Sequence, residues 1–194
     1  MSHFTQVKSQ IEDMEALRAT IARMGFQLLE NAQCRYYYGT EQKSLVIKLP
    51  GKYDVALEKQ ADGSYSIVAD WYNGHVAKRI GQDGEILLQM YAVEKAKIEG
   101  HKRGFMVTET QEEDHILVTL RDPKGGALKI WCYLGGRSVC QPDGIRGASC
   151  MRFYDLEKAL GAVEEHHKNG DFYAKDEDQK VQIKDSINGR YFCG

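Results

Sequence analysis

Proline is scarce in these 194 residues, with three in all, and no stretch approaches the ~20 consecutive apolar residues that a membrane-spanning helix needs. A collagen-like or proline-rich chain is excluded by the first shortage, and a helical membrane span by the second. Charge of one sign is lacking too, since 26 Lys and Arg against 28 Asp and Glu give a formal charge of −2. No global field then draws the chain to nucleic acid or an anionic membrane, although a local basic patch is compatible with the sum. Cysteine is sparse and odd in number. Cys34, Cys132, Cys140, Cys150 and Cys193 form no Cys-x-x-Cys pair, so neither a disulfide framework nor a zinc knuckle is indicated. Mostly free thiols in a reducing cytoplasm are expected. The opening run Met1-Ser2-His3-Phe4-Thr5-Gln6-Val7-Lys8 has no apolar signal-peptide core, and the expectation is a soluble, cytoplasmic protein.

What is present is core-building material, with 42% hydrophobic residues, 11 Tyr and 6 Phe. Residues 4–11 alternate as a strand does. Asp13 then suits a helix N-cap ahead of Met14, Leu17, Ile21 and Met24 at helical spacing. Gly25 fits the left-handed position after the helix, and Phe26-Gln27-Leu28-Leu29 leaves it as a strand. A second amphipathic helix starts at Asp83 or Gly84, carries Leu87, Met90, Tyr91 and Ile98, and stops at Gly104 before Phe105-Met106-Val107. The same stop-and-start device is thus used twice, which predicts two β-α-β halves. Strand candidates at 35–38, 45–49, 53–59 and 64–71 lie between them, divided by the turn signals Pro50-Gly51 and Asp62-Gly63, and 115–121 follows. The economical assembly is α+β: one antiparallel sheet with two helices on one face, ferredoxin-like in its split β-α-β order.

Asp122-Pro123-Lys124-Gly125-Gly126 interrupts both periodicities and reads as a linker between a domain at 1–121 and a small β-hairpin/helix domain at 127–194. In the second domain 128–134 and 137–140 read as a hairpin about Gly135-Gly136. With a two-residue turn Cys132 faces Val139 and Trp131 faces Cys140, which puts the two thiols on opposite faces. The segment from Asp143 to Cys150 then opens onto a helix with Phe153, Leu156, Leu160 and Val163 on one stripe, either broken near Gly161 or continuing to His166-His167. The charged tail ends in two strand-like runs, 181–183 and 191–193.

The opening eight residues, the helix at Asp13-Met14-Glu15-Ala16-Leu17, Tyr53-Asp54-Val55, Tyr65-Ser66-Ile67-Val68-Ala69-Asp70, and Tyr91-Ala92 followed by Gly104-Phe105 resemble the "ycf" reading-frame family of cyanobacteria and algal plastids, domain of unknown function twelve fifty-seven. The second domain, with Asp143-Gly144, Gly147-Ala148-Ser149-Cys150 and Leu156-Glu157-Lys158-Ala159-Leu160-Gly161, is similar to domain of unknown function twenty-nine ninety-seven. Neither resemblance brings catalytic residues. What it implies is company with ATPases of the AAA+ class, sometimes with a small ferredoxin, and joint action of the two domains joined on one chain.

Three constellations remain to be weighed. Gly144, Gly147, Ser149 and Cys150 at a helix start would offer backbone N–H groups to an anion and lower the thiol pKa; the plainer alternative is a tight turn with Ser149 as N-cap and Cys150 packed inside. No Lys follows, so the loop is not a phosphate-binding P-loop. Cys150, Cys193, His166 and His167 would make a metal site if they met, without a recognised ligand spacing. Lys97, His101, Lys102 and Arg103 form a basic cluster, and Arg35 with Tyr36, Tyr37 and Tyr38 would present rings to RNA bases, though consecutive strand positions alternate between faces. The reading that follows is a non-enzymatic accessory or adaptor protein that binds other proteins, an AAA+ ATPase or a second copy of itself. No cofactor, membrane or nucleic-acid partner is expected. The alternatives are a thiol or metal protein centred on Cys150 and an RNA-binding module.

Overall fold

A computed structural model describes residues 4–123, 125–144 and 151–168. The strands form two antiparallel sheets, one of order β1-β5-β4-β3-β2 and one of order β6-β7-β8-β9. By internal packing the chain divides into a first unit, Met1–Lys95 with Leu134–Gly136, and a second, Ala96–Tyr133 with Arg137–Gly194.

In the first unit β1 (Phe4–Ile11) leads into α1 (Met14–Arg23), whose N-cap Asp13 accepts from the backbone N–H of Glu15 and Ala16 at 2.8 and 3.2 Å. The helix ends as the sequence predicts. Gly25 takes φ +74°, and the Phe26 N–H reaches back to the Ile21 carbonyl at 3.0 Å, closing the last turn. Next come β2 (Gln27–Tyr36), β3 (Gly39–Lys48), β4 (Val55–Lys59) and β5 (Tyr65–Asp70), and β1 returns to pair with β5. The strand candidates at 26–29 and 35–38 are one strand with its turn. Tyr36 pairs with Gly39, which leaves Tyr37-Tyr38 as the hairpin tip. Short helical turns and α2 (Ala77–Ile80), which periodicity did not reveal, connect β5 to α3 (Glu85–Lys102). One face of the sheet packs on helices. Ala16, Leu17 and Ile21 of α1 are buried, the α-carbon of Gly84 lies close to Ile67, and the Tyr91 hydroxyl of α3 accepts from the backbone N–H of Glu12 and Asp13 at 3.1 and 2.9 Å.

In the second unit α3 ends with the same device, Gly104 at φ +78° and the Phe105 N–H on the Gly100 carbonyl at 3.0 Å. It releases β6 (Met106–Gln111), followed by β7 (His115–Arg121), β8 (Ala127–Tyr133), β9 (Ser138–Asp143) and α4 (Leu156–Lys168), which runs unbroken through Gly161. The mixed α+β class holds. The single shared sheet does not, because the second Gly-Phe device starts a sheet of its own. Its strands close through short hairpins, and Arg121 already pairs with Ala127. Closing so short a loop costs little entropy, so neighbours in sequence win over strands eighty residues away. The segment 122–126, read as a linker, therefore joins two strands of one ladder.

Candidate functional site

The β2–β3 hairpin does not stay flat. At Asn31 the backbone takes φ +48°, and beyond it Cys34 and Tyr36 join Val46, Ala56 and Val68 in one buried cluster, so the outer half of the hairpin turns back across the face opposite the helices. Asp54 fastens it there. Its carboxylate is fully buried and accepts from Arg35 Nε and Nη2 at 2.8 and 2.7 Å, from Lys48 Nζ at 2.8 Å, and from the backbone N–H of Arg35 and Leu49 at 3.1 and 3.2 Å. The Asp54 N–H in turn reaches the Arg35 carbonyl at 2.9 Å. Burial alone would raise the pKa of this carboxyl, but the donors from Arg35 and Lys48 outweigh burial and hold it below the usual value. Every acceptor position is filled by this chain. Asp54 is thus a structural fastener and not a catalytic acid.

A second buried carboxylate, Asp70, holds the tip. Its Oδ2 accepts from the Tyr37 N–H at 3.1 Å and its Oδ1 from the Tyr72 N–H at 3.0 Å. Around it the Tyr37 ring meets Tyr38 edge-on at 4.8 Å and Tyr72 at 5.0 Å, while Tyr53 meets His75 at 5.1 Å. Burial first, then the Asp70 carboxylate, raises the Tyr53 phenol. Despite their aromatic character Tyr37 and Tyr38 are 51% and 76% exposed. Next to Asp70 the Trp71 indole N–H is buried with no hydrogen-bond partner among the described residues. The result is an aromatic knob on a rigid mount, which has the composition of a protein-contact site. The run Tyr36-Tyr37-Tyr38 signalled it in the sequence, but as strand rings; that the last two sit at a turn was not foreseen.

The loop singled out by its glycines fares differently. Gly144 has φ +69°, while Gly147, Ser149, Cys150 and Cys193 lie outside the described residues, as do the side chains of His166 and His167 on α4. The helix on which the low-pKa argument rested begins at Leu156. Asp155 caps it, accepting from the Lys158 N–H at 2.9 Å, and Phe153 is bridged to Cys140 by paired backbone hydrogen bonds. Among the described residues no three His, Cys, Asp or Glu side chains gather as metal ligands.

The thiols that are described are buried. Desolvation pushes Cys34 up to about 11 and both Cys132 and Cys140 up to about 12. Cys132 and Cys140 share one face, contrary to expectation. The β8–β9 turn is three residues, Leu134–Gly136, so Cys132 pairs with Ser138 and Ile130 with Cys140. A one-residue difference in register transfers a side chain to the other face. The basic cluster is likewise committed. Lys97 meets Glu109 at 3.4 Å, Lys102 meets Glu99 at 3.2 Å, and Arg103 grips Glu157 and Glu164 of α4 at 2.7 and 2.8 Å.

Two antiparallel sheets flanked by few helices define a mixed α+β protein. The family model described as Protein of unknown function (DUF1257) matches residues 20–120, just over half of the chain, and the chain belongs to that family. No curated protein and no solved structure matches it.

Proposed function

We propose that this protein is a non-enzymatic adaptor that docks other proteins through the Tyr37–Tyr38 tip. The supporting observation is the tip itself: two exposed tyrosines at a turn whose backbone is pinned by the buried Asp70, with the Tyr72 ring behind them. Aromatic side chains that project from a fixed mount bind at low cost in conformational entropy, which is why they dominate interface energetics. The resemblance to the "ycf" frames, and of the C-terminal part to the second family, names the partners to try first: an AAA+ ATPase, then a second copy of the chain. The same reading carries a cytoplasmic location.

Light scattering on the eluting peak, with the chain alone and mixed with an AAA+ ATPase purified from the same host, tests it. A complex or dimer is expected, and the double variant Tyr37→Ala, Tyr38→Ala loses it while keeping its circular dichroism. A monodisperse monomer that does not co-elute with the ATPase overturns the proposal.

A further inference from the structure

The β6–β9 sheet buries one face only. Val118, Leu120, Ile130, Leu128, Cys132 and Cys140 are buried on it, Gly100 of α3 lies against Leu120 and Val107, and α4 packs on β9 and β8 with Arg103 tying it to the end of α3. Both helices therefore lie on that side. The other face carries a continuous row across all four strands, Thr110, Leu117, Trp131 and Val139, directly paired in register. None of the four is fully buried, and no helix among the described residues covers them.

The chemistry of this face is aromatic and cationic. Trp131 stands at its centre. Tyr133, two residues along β8 and so about 7 Å away, has the Arg137 guanidinium 4.4 Å over its ring and the His115 ring 5.4 Å to its side. In the neighbouring rows stand Arg121, paired with Ala127, and Lys129, between Thr119 and Gln141. Lys129 shares Asp143 at 2.7 Å and His115 shares Asp114 at 2.6 Å. Three permanent cations, Arg121, Lys129 and Arg137, line this face and its turn; Lys129 is paired with Asp143, and Arg137 lies in the field of Asp114 in the β6–β7 turn. Glu109 pairs with Val118 and points to the other face.

We propose that this half-exposed face binds single-stranded nucleic acid, with bases stacked on Trp131 and Tyr133 and phosphates held by Arg121, Lys129 and Arg137. An antiparallel four-stranded sheet with helices behind it and rings on its free face is the arrangement by which single strands are stacked and read. The face is independent of the Tyr37–Tyr38 tip, so either can fail alone.

Fluorescence anisotropy of a fluorescein-labelled oligouridylate of about a dozen nucleotides, titrated with the full chain, tests this. Binding at 50 mM salt is expected, with log K falling on log salt with a slope of about −2, since each of three neutralised phosphates contributes about −0.7. Trp131→Ala weakens binding roughly tenfold or more and Trp131→Phe restores most of it, as a stacking role requires. Arg137→Gln, on the surface and safe for folding, lowers both affinity and salt slope, whereas Lys59→Gln on β4 changes neither. Absence of binding at 50 mM salt overturns the proposal. So does unchanged affinity in folded Trp131→Ala, or displacement of the RNA by polyglutamate at equal charge concentration, which would assign the face to an acidic protein.

Discussion

The two sheets solve the same problem in opposite ways. In the β1–β5 sheet the interior strand β5 is buried along almost its whole length, because helices cover one face and the chain's own hairpin folds over the other. In the β6–β9 sheet, burial alternates residue by residue along β7 and β8, which marks a sheet covered on one face only. Closing the first sheet placed polar main chain and charged side chains at depth, and two buried aspartates hold them. The second, among the described residues, has no buried carboxylate and keeps a half-exposed face of rings and cations. The two binding proposals fall on the two different solutions: one at the tip of the closed sheet, the other across the half-exposed face of the open one.

The difference can be broken or sharpened by measurement. The largest expected effect is in thiol reactivity. With pKa values of about 11 for Cys34 and about 12 for Cys132 and Cys140 against an ordinary ~8.5, thiolate at neutral pH is suppressed by factors of hundreds to thousands. Alkylation followed by peptide mass spectrometry should label Cys34 before the other two, and all three far more slowly than in urea. Reaction of Cys132 in the folded protein at the rate of an unfolded thiol would contradict its burial. Next, Asp54→Ala should cost about 3 kcal/mol, near the low end for breaking a buried pair because Arg35 and Lys48 recover some hydration. Hydrogen exchange should show the loss in β2–β4 and leave β7–β9 unchanged.

The same carboxylate sets an acid limb. Its folded pKa lies below the unfolded value of about 3.9, so its stabilisation is complete above that value and disappears as pH falls through the folded pKa. Asp54→Asn should be less stable at neutral pH and should show a flatter loss of stability below pH ~4, read by urea melts at several pH values. In the open sheet, Gly100→Ala would set a Cβ 2.5 Å from Leu120 Cδ2, and the overpacking should cost about 1–3 kcal/mol, seen as faster exchange in β7. Asp143→Ala, which removes the partner of Lys129 on the exposed face, should cost less than about 1 kcal/mol in the same urea melts. A larger loss there would erase the contrast with Asp54.

Much of this architecture was legible because it is written locally. Asp13, Gly25 and Gly104 fix helix ends through the backbone of their immediate neighbours, and a single residue type suffices to announce each. The sheets were harder. Nothing near Asp54 in the sequence says that Arg35, nineteen residues earlier, will bring both its side chain and its main chain to it. Strand partnership is a competition among distant segments, and here the hairpins won. The site was legible in kind but not in place. Tyr36, Tyr37 and Tyr38 read in the sequence as strand rings, yet the last two are turn residues, and a two-residue β8–β9 turn misplaces Cys140 relative to Cys132. Three residues close that turn, and the face of every β9 residue changes with the count.

The family match ends at residue 120, on the last turn of the β7 ladder, yet β7 continues its pairing into β8 along all seven of its residues. Main chain that is not paired at a sheet edge is an invitation to other strands and to aggregation. In this chain β8 covers an edge that β7 would otherwise leave as unpaired main chain. Whatever else β8 and β9 contribute, they complete the sheet on which they sit.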